Sequence, residues 1–373
     1  MSRPRLLQIL PDGSPGGGAT AVLGLCHDLR RSGAFDVTLL TQPGSHLAAT
    51  ATAEDIPVLT LDFFAARLDP RLPGRLSRVI ATIRPDLVHA HGARAALPLV
   101  TTRLTDAGPL AYTVHGYHHA NKPLPLRMLA RLAERRIARR ADAVVFVAAG
   151  DRARAHREAI LAREDGRGLI IPNGIDPADF ADIAPLRARF DLVFAGRAHP
   201  QKNPLFLVDI MERLVGSGLT LLMICGGPLE SALKARIAAS PARDAITQVG
   251  AWPRRDVLGA FRAARLLVMP SLWEGLPITP LEALYLGLPV LASKVDGTRE
   301  LLTDGIDSRL IDGFRAEDYA AAIHALLGDP ARLDRLAAQG RRLVVTHYLR
   351  QASSDRHAAL YRRLLAAPSR AAQ

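Results

Sequence analysis

Two glutamates with seven residues between them, Glu274 and Glu282, flank a turn rich in glycine and proline. An apolar run over residues 266–269 predicts a buried parallel strand before the turn. After the turn, Thr279 and Pro280 predict the N-cap and first position of a short helix, in which Glu282 would be the capping-box acid. At the carboxyl end of such a strand, carboxylates can accept hydrogen bonds from sugar hydroxyls while helix N–H groups hold a phosphate.

The same two glutamates have a plainer interpretation. Glu282 would only close the capping box, and Glu274 would be a solvated acid in a loop. That interpretation gives no reason for the tight turn formed by Gly275, Leu276 and Pro277. Both interpretations stay open on these residues alone.

Two cations, Arg197 and Lys202, form a second candidate site. They follow a predicted strand over residues 192–196, and Asn203 and Pro204 behind them predict the N-cap and first position of a helix. Cations facing a helix N-terminus repel its dipole unless an anion lies between them, and a diphosphate would remove that repulsion. The alternative is a pair of ordinary surface cations.

Glycines and histidines mark further positions in the first half of the chain. A glycine cluster that includes Gly16 and Gly17 lies between a predicted strand and a predicted helix, where N–H groups can approach an anion; an ordinary flexible loop explains the cluster about equally well. Its spacing is not the G-x-G-x-x-G fingerprint, so no dinucleotide cofactor follows. His115 comes directly after another strand, and a polar site and a structural role are equally open for it. His89 and His91 lack a third ligand, so structural histidines are favoured over a metal pair.

These residues lie among alternating strand and helix signals, which predict doubly wound parallel sheets of the α/β class. The 373 residues suit two domains of about 150–200 residues each. Strands are predicted over residues 5–10, 36–40, 58–61, 86–89, 110–114, 143–147, 169–171, 192–196, 219–224, 246–250, 266–269 and 290–292.

The composition limits the partners and the compartment. The formal charge of +12, from 48 basic and 36 acidic residues, indicates an anionic partner. Nucleic acid is the weakest candidate, because no zinc spacing, recognition helix or aromatic platform is present. Cys26 and Cys225 lie far apart, which is typical of reduced cytosolic thiols. No apolar window reaches the length of a membrane span, so we expect a cytoplasmic protein.

Much of the positive charge lies in one segment. Residues 122–163 contain 11 Lys and Arg against 4 Asp and Glu, a net +7. A helix predicted over residues 124–140 would place a solvated basic face above a core-facing apolar stripe, and this is the favoured interpretation. The alternative is docking on an anionic membrane surface. The second basic group, which follows Phe63 and Phe64, supports that alternative: Arg67, Arg71, Arg75 and Arg78.

The stretch from Glu274 to Glu282 resembles the E-x7-E signature of retaining glycosyltransferases of family 4. This resemblance implies the GT-B fold, with two Rossmann-like domains facing a cleft. It further implies a first domain over residues 1–174, a second over 175–349, and a last helix over 350–373 that packs back onto the first. Cys225, Gly226 and Arg299 stand where the family usually has other residues.

By this resemblance the chain moves a sugar, with retention, from a nucleotide-diphosphate sugar to a hydroxyl of a glycan or lipid-linked acceptor. The setting would be the synthesis of a surface polysaccharide or glycolipid, without a metal or other cofactor. The catalytic residues would be Glu274, His115, Arg197 and Lys202. The donor-binding residues would be Gly16, Gly17, Arg197, Lys202, Gly275, Leu276, Pro277 and Glu282. An epimerase of the same fold and a non-catalytic nucleotide-sugar-binding protein are the alternatives.

Overall fold

The computed structural model describes residues 2–66, 69–100, 108–117 and 123–367. The chain divides into two compact units. The first comprises residues 1–173 and 350–373, and the second comprises residues 174–349. The predicted Arg67 and Lys122, and residues 368–373 of the predicted last helix, lie outside the described residues.

The first unit is built on a seven-stranded parallel sheet in the order β3-β2-β1-β4-β5-β6-β7. Its strands are β1 (Arg5–Leu10), β2 (Asp36–Thr41), β3 (Val58–Thr60), β4 (Leu87–His91), β5 (Leu110–Val114), β6 (Ala143–Phe146) and β7 (Gly168–Ile170). Its helices before the second unit are α1 (Gly17–Arg31), α2 (His46–Ala53), α3 (Leu72–Ile83), α4 (Ala93–Val100), α5 (Leu124–Arg140) and α6 (Ala149–Arg157).

Apolar side chains cover both faces of this sheet. In β1, Leu7 and Ile9 join a core with α3, α4 and α5, whereas Leu6 and Leu10 join another with α1 and α2. Successive strand residues point to opposite faces, so a strand that is buried on both faces is apolar throughout. The predicted doubly wound sheet is therefore confirmed, and its strand ends carry the candidate residues of this unit.

The second unit repeats the plan with a six-stranded parallel sheet in the order β10-β9-β8-β11-β12-β13. Its strands are β8 (Phe190–Ala195), β9 (Leu221–Ile224), β10 (Ile246–Val249), β11 (Ala264–Met269), β12 (Val290–Ser293) and β13 (Arg309–Ile311). Its helices are α7 (Pro204–Glu212), α8 (Glu230–Ala238), α9 (Arg254–Ala263), α10 (Thr279–Tyr285), α11 (Asp296–Leu301), α12 (Ala316–Leu327) and α13 (Pro330–His347).

The last helix, α14 (Arg350–Ala366), belongs to the first unit. Ala358, Leu360 and Tyr361 bury apolar surface in the core that contains α1. At its start, the Arg350 guanidinium donates two hydrogen bonds to the Asp28 carboxylate, at 3.0 and 3.1 Å. Burial of the apolar face and this ion pair together hold α14 on α1.

The orientation of α5 contradicts the favoured sequence interpretation. Its buried residues are Glu134, Ile137 and Ala138, and the Tyr112 hydroxyl donates a 2.8 Å hydrogen bond to Glu134. Leu124, Leu126, Leu129 and Leu132 are exposed to solvent, so most of the expected apolar stripe does not face the core. Within the described residues, no helix is both long and apolar enough to cross a membrane.

Candidate functional site

Lys202 and Glu274 come together in the second unit from positions 72 residues apart. The Lys202 ammonium donates a 2.5 Å hydrogen bond to Glu274 Oε1, and the Glu274 side chain is only 4% exposed. Glu274 is therefore not the solvated acid of the plainer interpretation. It also supplies the negative charge that we expected an anion to bring to Lys202.

The loop after β8 fixes the loop after β11. Gln201 donates its side-chain N–H to the Trp273 carbonyl at 3.1 Å and to Glu274 Oε2 at 3.4 Å. The Gln201 carbonyl accepts the Leu272 N–H at 2.8 Å. These bonds orient the Glu274 carboxylate on a strand-end loop, which suits a residue that must hold a fixed position.

A close backbone approach holds the same loop from the other side. A Cβ added at Gly297 would lie 1.7 Å from the Gly275 carbonyl oxygen and 2.8 Å from the Glu274 carbonyl carbon. Since real atoms cannot approach so closely, only glycine fits at position 297. Gly275, Leu276 and Pro277 are themselves buried, so this turn is packed rather than solvated.

Glu282 is buried on α10, and its surroundings correct the expected cap. Ile278, not Thr279, occupies the N-cap position, and no side chain caps the helix. The helix therefore starts one residue early, and Glu282 lies one position beyond the capping box. Its carboxylate instead accepts a 2.7 Å hydrogen bond from Arg254, whose guanidinium also donates at 2.9 Å to Asp179.

Burial dominates the electrostatics of Glu282. Desolvation raises the pKa of its carboxyl above the ordinary value, although Arg254 acts in the opposite direction. Sequence reasoning missed Arg254. Its only local signal is a cation at the first position of α9, directly after Pro253.

Arg197 is exposed in the loop between β8 and Lys202. Burial and the nearby Arg197 charge lower the pKa of His199 below its ordinary value. His199 Nδ1 accepts the Gln201 N–H at 3.1 Å, which shapes the turn that carries Lys202. Asn203 occupies the predicted N-cap position of α7, but with a left-handed backbone and no side-chain cap bond.

In the first unit, the predicted glycine cluster lies partly before α1 and partly in its first turn. A Cβ at Gly13 would lie 2.3 Å from Ser45 Oγ, so packing requires glycine there. A Cβ at Gly16 would meet no described atom within 4 Å. Packing therefore explains Gly13 but not Gly16, and Gly17 is the first residue of α1.

His115 lies after β5 and joins a group of buried side chains. Its Nε2 lies 3.1 Å from Nδ1 of His91, and His91 Nε2 lies 2.8 Å from Gln8 Oε1. His89 bonds Tyr361 and Thr113 instead. The partners of His89 and His91 are therefore neighbouring side chains. In the described part of the chain, no group of three or more His, Cys, Asp and Glu could hold a metal ion.

Two family models match this chain. The model described as Glycosyltransferase Family 4 matches residues 15–179, and the model described as Glycosyl transferases group 1 matches residues 177–343. Together they span both units.

Characterised proteins show the same similarity. Alpha-D-kanosaminyltransferase of Streptomyces kanamyceticus is 28% identical over 298 residues, which are 74% of this chain and 77% of the relative. The UDP-Gal:alpha-D-GlcNAc-diphosphoundecaprenol alpha-1,3-galactosyltransferase of Escherichia coli is 26% identical over 269 residues, or 68% of each chain. The structure of Anabaena HepE in complex with UDP and glucose superimposes with a TM-score of 0.81 at 17% identity, covering 97% of this chain and 100% of HepE.

Proposed function

We propose the reaction of this chain from one premise: it belongs to glycosyltransferase family 4 and has the GT-B fold. It transfers a sugar in the synthesis of a glycan or glycolipid. The matched families and relatives are transferases, which does not favour an epimerase or a non-catalytic binding protein. We propose that the donor is a nucleotide-diphosphate sugar, that transfer retains the anomeric configuration, and that no metal is needed.

The pairing of Lys202 with buried Glu274 carries this proposal. Lys202 and Arg197 would neutralise the diphosphate as its bond to the anomeric carbon breaks, because charge-assisted hydrogen bonds strengthen as negative charge develops. Glu274 would accept hydrogen bonds from the donor sugar, and Glu282 would accept them from the ribose hydroxyls. The acceptor oxygen would attack from the face that the diphosphate leaves and give its proton to the leaving phosphate.

The stereochemistry and the metal requirement can be tested in one assay. With a donor selected from UDP-, GDP- and ADP-sugars by thermal shift, we expect a product with the anomeric configuration of the donor, identified by NMR of the anomeric proton. Added EDTA should leave the rate unchanged, because Arg197 and Lys202 would supply the positive charge that a metal ion otherwise brings to a diphosphate. An inverted product would refute retention, and a rate that EDTA abolishes and manganese restores would refute metal independence.

A finer part of the proposal concerns the acceptor: we propose that α5 docks on an anionic membrane that carries a lipid-linked acceptor. Four apolar side chains, 57–63% exposed, form what we call the apolar face of α5: Leu124, Met128, Leu129 and Leu132. Arg136 and Arg139 continue the same exposed side toward the end of the helix. Apolar residues followed by cations are typical of a helix that lies in a lipid interface.

The second basic region, which follows Phe63 and Phe64, offers less free surface for membrane binding than its sequence suggests. Phe63 is buried, and Arg75 forms a 2.5 Å ion pair with Asp69. The exposed Phe64 ring lies 4.4 Å beneath the Arg94 guanidinium carbon. We therefore propose α5, rather than this region, as the membrane-binding element.

Replacing Met128 and Leu132 by serine should weaken vesicle binding about tenfold or more, since burying one such side chain is worth about 1.5–3 kcal/mol. The measurement is co-sedimentation with phosphatidylcholine vesicles, with and without phosphatidylglycerol, at low and high salt. We expect the wild-type chain to need the anionic lipid and to bind less in high salt.

The matched control replaces Val215 and Ile306, two exposed apolar residues of the second unit, by serine and should leave binding unchanged. A wild-type chain that stays in the supernatant with anionic vesicles at low salt would refute the docking. The docking would also be refuted if the wild-type chain were a dimer and the α5 variant a monomer, because a second copy of the chain would then cover this face.

A further inference from the structure

Arg254 connects three parts of the second unit through one guanidinium group. Its Nε donates to Glu282 Oε1 on α10 at 2.7 Å, and its Nη1 donates to Asp179 Oδ2 at 2.9 Å. Asp179 belongs to a short 3-10 helix, Pro177–Phe180, and the guanidinium carbon lies 5.5 Å from the centre of the Phe180 ring. A guanidinium can only donate and a carboxylate can only accept, so the direction of both hydrogen bonds is fixed.

This contact occupies only one oxygen of Glu282. Within the described part of the chain, Glu282 Oε2 has no hydrogen-bond partner and is not sealed from solvent. The whole side chain is 10% exposed, so a ligand can reach this oxygen without displacing Arg254. An ionised carboxylate accepts at both oxygens, whereas the neutral acid gives up part of that capacity to its own proton. Binding of hydroxyl groups at Oε2 is therefore strongest when Glu282 is ionised.

Two charges act on Glu282 in opposite directions. Burial raises the pKa of its carboxyl, Arg254 lowers this pKa, and the Asp179 charge raises it. Of the other elements packed against α10, α13 places the Arg341 guanidinium carbon 5.4 Å from the Tyr285 ring centre, and β12 has no titratable side chain. The balance between Arg254 and Asp179 therefore determines the pH at which Glu282 becomes a carboxylate.

We propose that Arg254 is a positioning residue for donor binding, which holds Glu282 as a carboxylate and leaves Oε2 for the ribose hydroxyls, while Asp179 opposes it. Arg254 does this without contacting the nucleotide. The inference rests on the proposed function, which assigns the ribose hydroxyls of the donor to Glu282. It adds an acid limit to donor recognition. As pH falls through the pKa of Glu282, the proton removes acceptor capacity, and the preference for a ribose falls with it.

The quantity to measure is the ribose preference, which we define as the Kd of a 2′,3′-dideoxynucleoside diphosphate divided by the Kd of the ribonucleoside diphosphate. The base is selected from UDP, GDP and ADP by thermal shift, and both Kd values come from calorimetric titration of the full chain between pH 4.5 and pH 9. Protonation of the diphosphate affects both ligands equally, so it cancels in the ratio. We expect the preference to fall about fivefold or more once Glu282 is protonated, because charge-assisted hydrogen bonds are about twice as strong as neutral ones.

Two variants should move this fall in opposite directions. Arg254→Met removes the cation, so the ribose preference should fall at a higher pH than in the wild type. Asp179→Asn removes the anion at nearly constant size, so the fall should come at a lower pH. Both variants break the same ion pair, and a purely structural role would therefore move both curves in the same direction or move neither. The matched control is Arg255→Met, which removes the exposed neighbour of Arg254 on α9 and should follow the wild type.

The outcomes separate this inference from the proposed function. Curves that move in the same direction in both variants, or an Arg254→Met curve equal to the wild type, would overturn the role of Arg254. If Arg254→Met does not fold, the Asp179→Asn curve decides, and an unshifted curve there would overturn the role. Nucleotide binding without a ribose preference would refute this role and leave the donor class standing. A folded chain that binds none of the three diphosphates would refute the proposed donor and this role together.

Discussion

Replacing Lys202 by methionine should lower kcat/KM for transfer by about ten- to a hundredfold, because one charge-assisted hydrogen bond is worth about 1.5–3 kcal/mol. The substitution also leaves the Glu274 carboxylate, 4% exposed, without the ammonium that it contacts at 2.5 Å. An uncompensated carboxylate beside the diphosphate would repel the donor. We therefore expect weaker donor binding as well as slower transfer, measured by calorimetric titration and by initial rates.

A double variant can distinguish this repulsion from a simple loss of the Lys202 contact. In the double variant with Glu274→Gln, the unpaired charge is gone, so the donor should bind more tightly than to Lys202→Met alone. Lys234→Met is the matched control, since Lys234 forms an exposed ion pair with Glu230 in the same unit. Equal donor affinity in Lys202→Met and the wild type would contradict the assignment of Lys202 to the diphosphate.

The sequence predicts elements best where burial and local pattern agree. The bounds of β5 and α5 match the predicted residues 110–114 and 124–140, because both are bordered by proline or by a change of periodicity. β13 was not predicted: it has three residues and becomes a strand only by pairing with β12. The prediction of which side of α5 faces the core was wrong, because periodicity shows which residues share a side of a helix but not which side is covered.

The candidate site was harder to predict, because its contacts join distant segments. Lys202 and Glu274, both predicted as site residues, do contact each other. Their charges and sequence positions could suggest this contact but could not show it. Arg254 was missed because its partner, Glu282, follows 28 residues later, and local capping rules offered a simpler role for that acid. Tyr361, which binds His89 from 272 residues away, has no local signal at all.

Replacing Arg254 by methionine should destabilise the second unit at neutral pH. Removing one partner of a fully buried ion pair costs about 3–5 kcal/mol. The Arg254 side chain is 34% exposed, so we expect a smaller loss of about 2 kcal/mol, within the range for a charged group left without its hydrogen bond. The measurement is the free energy of unfolding in urea, followed by a probe in the second unit.

The stability lost in Arg254→Met should depend on pH in a defined direction. The pKa of Glu282 is raised in the folded chain, so the folded state binds more protons between the ordinary and the raised pKa, and stability falls as pH rises through that window. Without Arg254, which lowers this pKa, the window extends to higher pH. Below the ordinary pKa of about 4.3, the carboxyl is neutral in both states, and the cost of Arg254→Met should be smallest.

A double-mutant cycle separates this charge effect from lost packing. In a Glu282→Gln background the buried charge is absent, so Arg254→Met should cost at least about 1 kcal/mol less than in the wild type. Asp179, the other carboxylate that Arg254 contacts, remains in both backgrounds and cancels in the comparison. An equal cost in both backgrounds, at pH 7 and at pH 4, would mean that Arg254 acts by packing alone and that Glu282 is not held as a carboxylate by this pair.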